Sequence, residues 1–247
     1  MATSVKPEVL LVAPIYKPAQ AKLEATYTTH SLLNASDRAA LISEVAPRID
    51  VVVTSGGGAG IKRALMEQLP KLKLIACFSV GLDSVDLAAA RELGIAVTNT
   101  PDVLTDEVAD LAVGLMLATS RRISAADRFV RAGRWLEGGF ALASKVSGKR
   151  LGIVGMGRIG QAIARRAAAF DMQIAWHGPA KKDLPYRFEP QLVELARSVD
   201  FLVAACPGGA ATRGLISREV LTALGPKGIF INISRGSVVD EAAMVEL

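Results

Sequence analysis

Short apolar, β-branched runs recur along the whole of this chain, and nearly every interval between them carries a helical pattern. The runs are VLLVA (Val9 to Ala13), DVVVT (Asp50 to Thr54), LIACFS (Leu74 to Ser79) and IAVTN (Ile95 to Asn99). They continue with RLGIVG (Arg150 to Gly155), MQIAW (Met172 to Trp176), DFLVAA (Asp200 to Ala205) and GIFINIS (Gly228 to Ser234). Between them lie SDRAALISEV, DLAAAREL, RIGQAIARRAAAF and SREVLTAL, all with apolar residues at helical spacing. Strands this apolar have to be buried on both faces, which predicts α/β architecture: parallel sheet with helices on either side. With 247 residues there is room for two compact domains or one large α/β unit. The pattern divides into a first α/β domain over residues 1–99 and a second over 100–247. A single long helix, about Asp106 to Ala132, leads into the second; Gly114 is its weak point.

Several function classes drop out on composition. The net charge is +5, but the arginine pairs 121–122 and 165–166 sit in helical patterns, not in a tract that could follow phosphates, so no nucleic-acid partner is expected. Cys77 and Cys206 are the only cysteines, each in an apolar run, which fits a reducing compartment without disulfides. The longest apolar stretch, VADLAVGLMLATS, carries Asp110 and is too short for a bilayer. No N-terminal signal pattern is read, so the expectation is a soluble, cytoplasmic protein with no membrane partner. No metal site is expected.

The strongest chemical signal is GMGRIG, residues 155–160, between the strand RLGIVG and the helix RIGQAIARR. Gly155, Gly157 and Gly160 permit a tight turn and close approach of the backbone to a pyrophosphate, with Met156, Arg158 and Ile159 between them. The following helix offers free N–H groups and a positive dipole end. A dinucleotide is the reading. NAD sites of this type carry an acid after the second strand, for the ribose 2′-hydroxyl. Here that place holds Trp176, His177, Gly178, Pro179 and Ala180, then Lys181 and Lys182, with Asp183 the first acid. A 2′-phosphate repels a carboxylate and welcomes an ammonium, so the segment favours NADP, with NAD still possible. A second glycine loop, SGGGAG (Ser55 to Gly60), reads equally as a substrate-contacting loop or a plain turn.

Five segments in order resemble the D-isomer-specific 2-hydroxyacid dehydrogenases. They are SVGLDSVDLAAARELGIAVTNTPDVLTDEVADLAVGLML, RAGRW, GKRLGIVGMGRIGQAIARR, CPGGAATRGLI and INISRGSVVDE. NTPDVLTDEVAD is most similar to the NADP-preferring hydroxypyruvate and hydroxyphenylpyruvate reductase branch. The resemblance implies two Rossmann-like parallel-sheet domains about a cleft: a flavodoxin-like substrate domain and an NAD(P)-binding Rossmann domain, incomplete at its C-terminus. It implies a homodimer with the long helix and the Trp135 segment in the interface, and reduction of a 2-oxo acid to the D-2-hydroxy acid.

The resemblance also implies residue roles. Val80 and Gly81 offer backbone N–H groups to the substrate carboxylate, and Gly57 lies in the other substrate-facing loop. Thr105 touches the nicotinamide end, and Met156 to Ile159 hold the pyrophosphate. Cys206, Pro207 and Thr212 line the cofactor, and Ile233 and Ser234 lead to Arg235, which anchors the 2-oxo acid and polarises its carbonyl. The branch has Ser-Arg where this chain has Gly178-Pro179, so Lys181 or Lys182 has to replace that arginine. The family's proton-donating histidine and its glutamate fall after the last residue here. His30 reads as structural and His177 as lying at the adenosine end, so neither fits the acid. The expectation is a C-terminally incomplete chain of an enzyme; the alternative is a non-catalytic dinucleotide-binding protein, a corepressor-like sensor or a truncated relic.

Overall fold

The computed structural model describes residues 6–56 and 60–247. The chain divides into two compact units, Met1–Val103 and Leu104–Leu247.

The first unit contains β1 (Glu8–Leu11), α1 (Lys17–Thr26), β2 (Thr28–Ser31), α2 (Arg38–Val45), β3 (Ile49–Ser55), α3 (Arg63–Met66), β4 (Leu74–Phe78), α4 (Leu87–Glu92) and β5 (Ala96–Thr98). The strands form one parallel sheet in the order β2-β1-β3-β4-β5, the flavodoxin-like arrangement. The period of two is visible in burial. Leu10, Val12, Val52 and Ile75 face a core shared with Met66, Ala89 and Ala90. Val9, Leu11 and Val53 face the opposite layer, which Leu23 of α1 covers. A strand apolar on both sides thus acquires helices on both sides.

The second unit contains α5 (Thr105–Ser120), α6 (Ile123–Arg131), β6 (Arg150–Val154), α7 (Arg158–Ala168), β7 (Gln173–His177), β8 (Arg187–Phe188), α8 (Leu192–Arg197), β9 (Phe201–Ala204), α9 (Arg218–Leu224), β10 (Ile229–Asn232) and α10 (Glu241–Glu246). Its sheet is again parallel, in the order β10-β9-β6-β7-β8, a doubly wound Rossmann order with β6 at the centre. On one face α5 and α7 meet through Ala109, Ala112 and Ala162, small enough to bring the helices together, and pack with Ile163 over Leu151, Ile153 and Val203. Arg166 of α7 adds ion pairs to Asp106 and Asp110 of α5. Leu195, Leu202, Val220 and Val238 fill the other face.

One expectation is corrected here. The single helix of 106–132 is two helices, and the break is at Arg121–Arg122, not at Gly114. Arg122 is left-handed, with φ 55° and ψ 38°, at a cost of roughly 1–2 kcal/mol for a residue with a Cβ. The cause is the strand of chain that crosses the helix end. The Ser120 carbonyl, which residue 124 would use in a continuous helix, instead accepts from the Ser144 amide at 3.1 Å. The Ser120 hydroxyl donates back to the Ser144 carbonyl at 2.9 Å. Gly114 stays helical on an exposed face.

Candidate functional site

At the carboxyl edge of the second sheet the chain leaves β6 through Gly155, Met156 and Gly157 and enters α7. This is the switch point of the sheet, where the order turns from β7 on one side of β6 to β9 on the other. The three glycines answer three different demands. Gly155 has φ 98°, and a Cβ there would lie 2.7 Å from both the amide nitrogen and Cα of Cys206. A Cβ on Gly160 would lie 2.1 Å from the Gly155 carbonyl oxygen, so its absence lets α7 seat on the turn. At Gly157, the N-cap of α7, an added Cβ meets nothing within 4 Å. The first and third glycines serve the fold. The second leaves open space against a helix N-terminus, which is what a pyrophosphate requires. The residues fit a dinucleotide.

The other sequence-derived cofactor residues gather along the same edge. Gly155 donates to the His177 carbonyl at 2.9 Å and Ala205 to the Val154 carbonyl at 2.8 Å, so the exits of β7 and β9 flank the glycine turn. Cys206 and Pro207 follow directly. Thr212 closes their loop, its hydroxyl donating to the Pro207 carbonyl at 2.7 Å. Ile233 donates to the Ala204 carbonyl at 3.2 Å, bringing the exit of β10 alongside. Burial pushes the Cys206 thiol up, and the neighbouring Ser234 hydroxyl opposes that rise. Thr105 opens α5 and is half-buried.

Arg235 is exposed on the loop after β10, where its guanidinium donates to the Ser234 carbonyl at 3.1 Å. Asn232 builds this loop. Its side-chain oxygen accepts from the Ser234 amide at 2.9 Å and its amide donates to the Arg235 carbonyl at 3.0 Å. Sequence reasoning passed over Asn232, although an amide inside the apolar run IFINIS was a signal.

After β7, Gly178 lies against the buried Trp176 ring; an added Cβ would be 3.2 Å from Cζ3. Pro179, Ala180 and Lys181 are exposed. Lys182 turns back to the glycine turn, its ammonium donating to the Met156 carbonyl at 2.9 Å. Gln161 of α7 donates to the same oxygen at 3.4 Å. Arg158 is exposed at the start of α7.

In the first unit, Val80 and Gly81 follow β4. Gly57 lies outside the described residues, but Gly56 before it is packed so close that a Cβ would fall 2.3 Å from the Ser79 hydroxyl oxygen. The Ser79 carbonyl accepts from the Thr100 amide at 3.0 Å, and the Val80 carbonyl from the Asn99 side chain at 2.9 Å. In a trans peptide the C=O and the next N–H point opposite ways. The N–H groups of Val80 and Gly81 are therefore aimed away from the 99–100 segment. Asn99 and Thr100, not singled out in the sequence, set that direction.

His177 meets the glycine turn through its main-chain carbonyl, and His30 stands apart from these groups. His30 lies on the edge strand β2, 2.7 Å from Glu8 at the amino end of β1. The Glu8 carboxyl is held below its ordinary range by that hydrogen bond and by Arg48. His177 Nδ1 lies 3.1 Å from the Glu189 carbonyl.

A family model described as "D-isomer specific 2-hydroxyacid dehydrogenase, NAD binding domain" matches residues 113–247. Glyoxylate/hydroxypyruvate reductase A of Arabidopsis thaliana is 44% identical over 239 residues, 96% of this chain and 76% of the plant protein. Hydroxyphenylpyruvate reductase of Plectranthus scutellarioides is 53% identical over 194 residues, 78% of this chain and 62% of that one. A solved structure of an NADPH-dependent glyoxylate/hydroxypyruvate reductase from Sinorhizobium meliloti, in complex with NADP and malonate, superimposes with a TM-score of 0.89. Its sequence is 40% identical, and the match covers 98% of this chain and 75% of that one.

Proposed function

The chain belongs to the D-isomer specific 2-hydroxyacid dehydrogenase family, and from that premise we propose that it reduces a 2-oxo acid to the D-2-hydroxy acid with NADPH. The substrates are of the hydroxypyruvate, glyoxylate or phenylpyruvate type, by kinship with the two plant reductases. The observation that carries the reading is Gly157: two glycines are required by the backbone, and this one keeps open space before α7. The second unit is the NAD(P)-binding domain and the first the substrate-binding domain.

Bound NADPH supplies the hydride for the carbonyl carbon. The protein's part is binding and polarisation. The turn Gly155 to Gly160 and the amino end of α7 hold the pyrophosphate, with Arg158 beside it. Thr105, Cys206, Pro207, Thr212, Ile233 and Ser234 line the nicotinamide half, and the segment 178–182 meets the adenosine ribose. Val80 and Gly81 give their N–H groups to the substrate carboxylate, an assignment supported by the fixed carbonyls of Ser79 and Val80. Arg235 anchors the 2-oxo acid and draws electron density onto its carbonyl oxygen, work suited to a planar guanidinium that never loses its charge. The alkoxide that results needs a proton. His30, engaged with Glu8 at the amino end of β1, is not its source; His177 is not either.

The working form is a homodimer. In support, α5, α6 and the segment after them expose Leu111, Leu115, Ile123, Val130, Trp135 and Leu136, large apolar side chains that an interface would cover. The reducing cytoplasm is the compartment, in keeping with two free thiols. The test is NADPH oxidation by the native protein offered hydroxypyruvate, glyoxylate and phenylpyruvate in turn. Turnover with at least one is expected, and none with any of the three refutes the assignment.

A further inference from the structure

Selectivity for a 2′-phosphate needs a positive group at the ribose and no carboxylate there. The second condition is met by the chain itself. Gly178 and Pro179 follow the end of β7, Asp183 is exposed on the loop beyond, and the Glu189 carboxylate is engaged by Arg187 at 2.9 Å. The first condition singles out one lysine. Lys182 reaches back 26 positions to donate to the Met156 carbonyl, inside the turn that cradles the pyrophosphate. Among the described residues it has no carboxylate partner, so its charge is uncompensated. An ammonium has three donors. One is engaged by Met156, and two remain for oxygens of an incoming phosphate. Lys181, its neighbour, is exposed and has no such tether among the described residues.

The geometry points to Lys182, and not Lys181, as the residue that reads the 2′-phosphate of NADPH, its ammonium positioned in advance by the Met156 carbonyl. This rests on the dinucleotide reading of the glycine turn. It also explains how the chain dispenses with a Ser-Arg pair after β7: the cation comes from farther along the loop and is anchored to main chain. Because the ammonium already sits at the turn, less side-chain freedom is lost when phosphate arrives.

The experiment measures NADPH and NADH dissociation constants directly, by titration calorimetry, for the unaltered protein and for Lys182→Ala, Lys182→Arg and Lys181→Ala. The unaltered protein is expected to favour NADPH, and Lys182→Ala to lower the NADPH/NADH affinity ratio by ~5–10-fold, the scale of a partly exposed ammonium–phosphate contact. NADH affinity should barely move, Lys182→Arg should restore most of the ratio, and Lys181→Ala should lower it less than Lys182→Ala does. Raising the salt concentration should erode the preference in the unaltered protein and not in Lys182→Ala. An unchanged ratio in Lys182→Ala, or a larger fall in Lys181→Ala, overturns the proposal. So does an equal loss of both cofactors in Lys182→Ala, which would make the tether purely structural. Failure of the unaltered protein to bind either nucleotide overturns the dinucleotide reading beneath it.

Discussion

Replacing Gly157 by alanine should separate cofactor binding from folding, and the same change at Gly160 should not. At Gly157 the backbone has φ −80° and ψ −162°, open to any L-residue, and the new methyl meets no protein atom within 4 Å. Alanine is a poorer N-cap than glycine by about 0.5–1 kcal/mol. It also restricts the unfolded chain, which returns about 0.4–1 kcal/mol. The two offset, so Tm should move by no more than about 2 °C for a chain of this size. Binding is different, because the methyl projects into the space the pyrophosphate has to enter. Overpacking of that kind costs about 1–3 kcal/mol, or roughly 5–150-fold in Kd. At Gly160 the methyl would stand 2.1 Å from the Gly155 carbonyl oxygen, and backbone cannot swing aside as a side chain can. There α7 has to lift off the turn, so the same 1–3 kcal/mol appears as a Tm fall of about 3–10 °C together with lost affinity. Thermal unfolding and NADPH titration on both variants give the four numbers needed. If Gly157→Ala binds NADPH as tightly as the unaltered protein, the open space above Gly157 is not where the pyrophosphate lies, and the reasoning fails.

Arg235→Lys should leave NADPH affinity intact while kcat/KM falls about a hundredfold, because a point charge cannot reproduce a forked hold on carboxylate and carbonyl; steady-state kinetics on the native protein decide it. The Arg150 guanidinium and amide hold the Asp200 carboxyl down from 3.8 to about 2. That fall sets a ceiling of roughly 2.5 kcal/mol of stability at neutral pH, cut to about 1 kcal/mol by the pair's partial exposure. A folded-state pKa below the unfolded one means the contribution is complete above pH 3.8 and gone as pH falls through about 2. Urea unfolding should show Asp200→Asn less stable at neutral pH, with the deficit closing across that window. On the proposed homodimer, light scattering should give a dimer mass for the unaltered protein and a monomer mass for Leu115→Asp, a change on the exposed face of α5, with no lowering of Tm for the isolated subunit.

Elements that carry their own burial signal were legible in the sequence. Eight strands were found as apolar runs, and GMGRIG was placed correctly between β6 and α7; the signal is strongest in β1, β6 and β9, which are buried on both faces and so apolar nearly throughout. β2 was not visible. Its TTHS has no apolar residue, and it exists because the edge of β1 offers a parallel partner from Glu8 to Leu11. β8 is a two-residue pairing of the same kind, made beside Trp176. The helix break at Arg122 also lay beyond local reading, since nothing within 106–132 announces that Ser144 will claim the Ser120 carbonyl. At the candidate site the glycines could be read and the side chains that orient backbone could not. The Asn99 and Asn232 side chains and the Thr100 amide act on carbonyls brought near by the fold, and Lys182, legible as a cation, is tethered across 26 positions. Spacing rules reach neither.

The tether between Lys182 and Met156 runs from a side chain to a main-chain oxygen, and this has a consequence for how such a protein can be altered. Any residue at 156 presents the same carbonyl, so the tether does not depend on the Met156 side chain, which is buried in the core. Lys182 is itself exposed, on an irregular loop, and supports no core. On the Lys182 proposal, cofactor preference and foldability are encoded at different places. A laboratory seeking an NADH-using version, or a lineage moving to a different redox pool, has a route that begins with one surface codon and leaves the glycine turn as it is.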